Sequence, residues 1–84
     1  MQRWEYCHIR SAVKSSHDGI SSKTELFYYM TGQTVFIDVS NHGVEMAITK
    51  LGNEGWELVS VANESSGAIP GTFLATTYYF KRPL

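Results

Sequence analysis

Residues 3–13 alternate with a period of two, placing Trp4, Tyr6 and His8 on one side and Cys7, Ile9 and Val13 on the other. That pattern predicts a strand, and because both sides hold apolar groups neither is plainly the wet one. Ser15-Ser16-His17-Asp18-Gly19 is loop chemistry, with Asp18-Gly19 a favoured turn pair because glycine accepts positive φ, so a hairpin is expected. The returning strand is expected over 24–30, through Leu26, Phe27, Tyr28 and Tyr29. Gly32 interrupts it before Thr34-Val35-Phe36-Ile37-Asp38-Val39 resumes strand character. The interruption reads as a tight turn in preference to a bulge, which leaves open whether 24–39 forms one bulged strand or two.

Between Asn41 and Gly52 the period changes. Val44, Ala47, Ile48 and Leu51 recur at i, i+3, i+4 and i+7, which predicts the one amphipathic helix of the chain. Ser40 or Asn41 is placed to cap its start, Glu45 sits near the positive end of its dipole, and Gly43 counts as an unfavourable early helical position. Gly52 or Gly55 can stop the helix, with Asn53-Glu54 as the bend. A strand is then expected over 56–62, with Trp56 and Leu58 opposed to Val59 and Val61. A polar loop is expected from Asn63 to Gly71, and a last strand from Thr72 to Lys81 that Pro83 ends. The resulting fold class is α+β: an antiparallel four- to five-stranded sheet with a single helix packed on one face, in the order β-β(-β)-α-β-β.

With 84 residues, one domain spanning 1–84 is expected, able to bury about 63% of its unfolded surface. A net charge of −1 favours neither nucleic acid nor an anionic membrane globally. The charge is uneven, however. Residues 26–80 carry Asp38, Glu45, Glu54, Glu57 and Glu64 against Lys50, whereas the ends carry Arg3, Arg10, Lys14, Lys23, Lys81 and Arg82, so neighbouring terminal strands would make a modest basic patch. The one cysteine, Cys7, cannot form an internal disulfide, which suits a reducing compartment. With no apolar leader and no membrane-length apolar run, a cytoplasmic location is expected.

Three blocks stand in order along the chain: Trp4-Glu5-Tyr6, then Leu51-Gly52-Asn53-Glu54-Gly55-Trp56-Glu57-Leu58-Val59-Ser60-Val61, then Tyr79-Phe80-Lys81-Arg82-Pro83-Leu84. Together they resemble the small bacterial domain-of-unknown-function 4177 family, over residues 3–9 and 44–84. The resemblance implies a compact α+β domain, mostly bacterial or phage-associated, with no established activity and no catalytic residues to carry over. Independently of any family, Gly55 lets the chain reverse after the helix and Trp56 can cover the helix end, which makes the middle block a folding signature.

The candidate chemistry is sparse. Cys7 and His8 would make an activated nucleophile if paired, but adjacent strand residues point to opposite faces. His8, His17 and His42 with Cys7 lack the close spacing of recognisable zinc sites, so neither a metal nor another cofactor is expected. Glu54 and Glu57 read as solvated turn charges, and the 65–71 loop lacks the lysine and following helix of a phosphate loop. The aromatics are the informative group: all eleven fall in predicted strands, and one helix cannot cover both faces that they occupy.

That surplus leads to the functional expectation. The chain reads as a non-enzymatic oligomeric module, a homodimer or dimer of dimers through sheet faces or edges, serving as an accessory or protein-interaction domain. The tentative interface or ligand residues are Trp4, Tyr6, Tyr28, Tyr29, His42, Tyr78 and Tyr79. The alternative is binding of a small ligand or nucleotide in a pocket between subunits, with Tyr28, Tyr29, His42 or the 63–71 loop at its mouth. Less favoured is single-stranded nucleic acid stacking on Tyr6, Tyr78 or Tyr79 beside Arg3, Arg10 and Lys81.

Overall fold

A computed structural model describes residues 1–16, 19–37, 43–65 and 73–84. The elements follow in the order β1 (Trp4–Ser16), β2 (Gly19–Tyr28), β3 (Gln33–Ile37), α1 (Glu45–Asn53), β4 (Glu57–Ser65) and β5 (Phe73–Pro83). The five strands make one sheet, ordered β3-β2-β1-β5-β4, and every neighbouring pair is antiparallel. This is the α+β architecture that the alternation and the one helical period predict. The two terminal strands lie at its centre and pair from Trp4↔Pro83 to Lys14↔Phe73.

The hairpin is present but tighter than expected. The ladder runs up to Ser16↔Gly19, so Gly19 is the first residue of β2 and not part of the turn centre, and β2 begins well before residue 24. His17 and Asp18 lie outside the described residues. The turn at Gly32 is present: its N–H donates to the Tyr28 carbonyl at 2.9 Å and its φ is +71°, so 24–37 divides into two strands. At the far end Asn63 belongs to β4, where its side-chain oxygen accepts a bond from Thr76 Oγ1 at 2.9 Å, and the rest of the expected loop beyond β4 to residue 71 lies outside the described residues.

The helix starts later than its sequence suggests. Its N-cap is Val44, with no side-chain capping bond, and Glu45 is its first residue. Ser40 and Asn41, the expected caps, lie outside the described residues. Gly43 is not helical, because its φ of +70° is incompatible with a right-handed helix; it turns the chain into the helix from outside. The C-terminus is a Schellman stop. Gly55, at φ +92°, donates to the Gly52 carbonyl at 3.1 Å, and the Trp56 N–H donates to the Leu51 carbonyl at 2.9 Å. Of the two candidate stops, Gly55 is the one used, and Gly52 remains inside the helix.

Strand parity divides the side chains between two faces. Cys7, Ile9, Leu26 and Phe80 face the helix and pack with Leu51 and Trp56 as the core, joined at its edges by Tyr28, Ile37, Val44, Ala47, Ile48 and Tyr78. Thr24, buried on the same face, pairs its hydroxyl with that of Ser11 at 3.2 Å. A helix about 10–12 Å across cannot roof five strands set about 4.8 Å apart. Leu58 and Val61 on β4 are left exposed. They share a face because the register shifts between Leu58 and Ser60, which corrects the expectation of strict alternation setting Trp56 and Leu58 against Val59 and Val61.

Candidate functional site

Cys7 and His8 illustrate what strand parity does to chemistry. Cys7 is 1% exposed in the core, and burial pushes its thiol pKa up to about 12, only partly opposed by the Arg82 charge. A thiol held protonated and out of solvent is a packing group and not a nucleophile. Because successive side chains in a strand point to opposite faces, His8 lies on the other side of the sheet and does not pair with Cys7.

On that opposite face His8 is the hub of a ring cluster. Its ring stacks on Phe27 with centroids 5.5 Å apart and meets Tyr29 and Tyr79 edge-on at 5.3 and 5.9 Å, while Phe27 and Tyr29 contact at 5.4 Å. Cross-strand register builds it: His8 sits opposite Phe27 on β2 and opposite Tyr79 on β5. The Tyr29 hydroxyl lies 2.8 Å from His8 Nδ1, a hydrogen bond in which the tautomer of the ring sets which of the two donates. Burial holds the His8 pKa below its ordinary value; Arg10 pushes the same way and Glu25 opposes it. A neutral imidazole within an aromatic cluster is suited to contact and hydrogen bonding.

Two cation–π pairs flank the cluster. Lys81 Nζ lies 4.2 Å from the Trp4 ring centroid, and Lys23 Nζ lies 4.9 Å from that of Phe36. The cations are also matched by carboxylates. Arg10 pairs with Glu64 at 3.0 Å, Lys23 with Glu25 at 3.1 Å and Lys81 with Glu57 at 3.9 Å. The terminal strands are neighbours, but of the basic residues expected to form a patch Arg10, Lys23, Lys81 and Arg82 are each paired with a carboxylate, and Arg82, bonded to Glu5, faces the helix and not the opposite side.

The helix side holds a concavity. A cavity of about 1010 Å³ lies between α1 and the β2–β3 half of the sheet, with Leu26, Val35, Ala47 and Leu51 among its walls. At one end Arg82 stacks on Trp56 at 4.4 Å, donates from Nη1 to the Glu54 carbonyl at 2.8 Å, and holds Glu5 at 3.3 Å. Trp56 is buried with no partner for its Nε1–H, and Tyr28 tilts against it with centroids 6.1 Å apart.

The structure thus divides the expected site residues. Trp4, Tyr6, Tyr29 and Tyr79 belong to the face away from the helix, whereas Tyr28 and Tyr78 share the helix side with the core. A single surface containing all of them is not formed, because adjacent tyrosines in a strand alternate. His42 lies outside the described residues. Sequence reasoning overlooks His8 and Phe27 as partners, although the β1–β2 ladder that closes at Ser16↔Gly19 sets the register that joins them. It also misses Arg82 on Trp56, for which the sequence holds no local signal.

Among the described residues no group of three His, Cys, Asp or Glu side chains is arranged to hold a metal, and no helix is long and apolar enough to cross a membrane. Comparison of the chain with family models, with curated proteins and with solved structures returned no match.

Proposed function

We propose that this chain is a non-enzymatic, oligomeric protein-interaction module whose first partner is a second copy of itself, joined through the sheet face away from the helix. The observation that carries the reading is the His8–Phe27–Tyr29–Tyr79 cluster, an aromatic surface on the sheet face opposite α1. Tyrosine and tryptophan favour interfaces because they combine large apolar area with a polar tip, and two-fold pairing lets one patch serve both subunits. The flanking cations bring their own carboxylates, so two copies can approach without like-charge repulsion. Kinship with the domain-of-unknown-function 4177 family is part of this proposal, resting on the three sequence blocks and adding no activity.

Sedimentation equilibrium at micromolar concentration tests the reading. A dimer or dimer of dimers is expected for the native chain. Phe27→Glu and Tyr79→Glu, which place carboxylates in the middle of the face, are expected to shift it to a folded monomer. A monomeric native chain, or a dimer indifferent to both substitutions, removes the sheet-face interface.

A further inference from the structure

Of the four rings in the aromatic cluster, His8 alone can change its charge near neutral pH. It stands in the middle, stacked on Phe27 and edge-on to Tyr29 and Tyr79, so a partner that covers the cluster covers the imidazole as well.

The charged groups on its face, taken strand by strand, are already matched. On β1 Arg10 follows it on the same side and pairs with Glu64 of β4 at 3.0 Å. On β2 Lys23 and Glu25 pair with each other at 3.1 Å. On β5 Lys81 pairs with Glu57 of β4 at 3.9 Å and lies over the Trp4 ring. Among the described residues, each carboxylate on this face therefore has a lysine or arginine of its own, and what touches the imidazole is the rings of Phe27, Tyr29 and Tyr79.

A proton on the ring changes two things there. Both ring nitrogens become donors, so Nδ1 donates to the Tyr29 hydroxyl, whose own proton then needs another acceptor. The ring also becomes a cation, and a cation that loses its water to a partner surface without gaining a carboxylate is disfavoured. In the free chain His8 is only partly buried, and a second copy removes water that the cation would keep. The stack on Phe27 favours the cation, but it is present in the free chain too and drops out of the difference. Two-fold pairing places two such rings in one contact.

We propose that His8 makes the pairing of sheet faces acid-sensitive: two copies join while its imidazole is neutral and separate when it takes up a proton. This acid response rests on the sheet-face reading and adds its regulation. The lowered pKa that burial and Arg10 give His8 in the free chain agrees with it, since covering the ring strengthens the larger of those causes.

Sedimentation equilibrium of the full chain between about pH 7.5 and about pH 5, above the ordinary carboxylate range, measures the dissociation constant at each pH. The native constant is expected to rise about tenfold or more across that window, with a ceiling of about a hundredfold per pH unit set by two protons per dimer. His8→Phe keeps a ring and loses the titration, and His8→Gln keeps a hydrogen-bonding group for Tyr29 and loses it too. Either is expected to flatten the dependence, and either serves, because the readout is the change with pH and not the affinity. Circular dichroism on the same samples is expected to show an unchanged sheet signal in the separated native chain. A native dissociation constant that does not move with pH, an equal rise in the His8 variants, or loss of the sheet signal together with the dimer would each overturn the acid switch. A pH-independent dimer removes the switch and leaves the sheet-face interface standing, whereas a chain that is monomeric at pH 7.5 removes both.

Discussion

Two adjacent residues in the central strand carry opposite responses to pH. Cys7 keeps its proton to about pH 12 in the fold, while an unfolded chain releases it near 9.0. Above that value the unfolded state therefore binds fewer protons than the native one, and stability falls as pH rises from 9 towards 12. The same burial predicts that a thiol reagent at about pH 8 modifies Cys7 slowly in the native protein and at once in denaturant; equal rates would show that the thiol is accessible. His8 has the reverse dependence. Its folded pKa lies below the ordinary 6.5, held down by burial and Arg10 against the pull of Glu25, among the neutral rings of Phe27, Tyr29 and Tyr79. As pH falls through 6.5 the unfolded chain takes up a proton that the native state refuses, so stability declines until the folded pKa is passed. Urea midpoints measured from about pH 7.5 to about pH 5 are expected to fall more steeply for the native chain than for His8→Phe. Parallel curves would mean that His8 does not titrate differently in the two states.

Among the elements, the helix stop is the most local and the most legible. Leu51 to Trp56 supplies every part of a Schellman motif: a glycine at positive φ, two backbone bonds, and an apolar pair, Leu51 and Trp56, that both enter the core. A Cβ at Gly55 would meet nothing within 4 Å, so Gly55→Ala isolates the backbone term. It is expected to cost about 1–2 kcal/mol, read as a lower denaturation midpoint with unchanged slope. A neutral effect would mean that the helix end does not depend on that conformation. The rest of the element map is legible in proportion to how local its cause is. Period-two alternation reveals the strands, and Gly32 is readable as a turn because glycine relieves a positive φ. The helix start is misread from sequence because Gly43 looks the same whether it lies inside a helix or turns the chain ahead of one. The bulge between Leu58 and Ser60 is invisible for a related reason: the Leu58-Val59 pair carries no mark of which residue leaves the register. Strand order, and with it the meeting of His8 with Tyr79, depends on pairings distant in sequence that periodicity does not encode.

At the scale of the molecule, surface area bears on the proposed oligomer. A compact chain of this size has a radius of gyration of about 12 Å and exposes roughly 5,000 Å². This one has a radius of gyration of 14.4 Å, extends 50 × 27 × 19 Å and exposes 6060 Å². The excess, on the order of 1,000 Å², is close to the area of about 800 Å² that each partner contributes to a standard interface. Its physical origin is a broad five-stranded sheet with one nine-residue helix on one face. A stand-alone monomer would leave Phe36 67% exposed and the His8 cluster against water, and would have less burial to offset the entropy of ordering its chain. If a second copy supplies the missing burial, folding and association are linked, and the melting temperature must rise with protein concentration. Each tenfold increase adds about 1.4 kcal/mol per dimer, half of it per chain, which for a domain of this size raises Tm by about 3–5 °C. Calorimetry between about 5 and about 500 µM, roughly two decades, reads this directly. The slope is expected to vanish in Phe27→Glu, with Tm no higher than that of the native chain at its most dilute. A native Tm independent of concentration would show that this sheet is stable with its aromatic face in water.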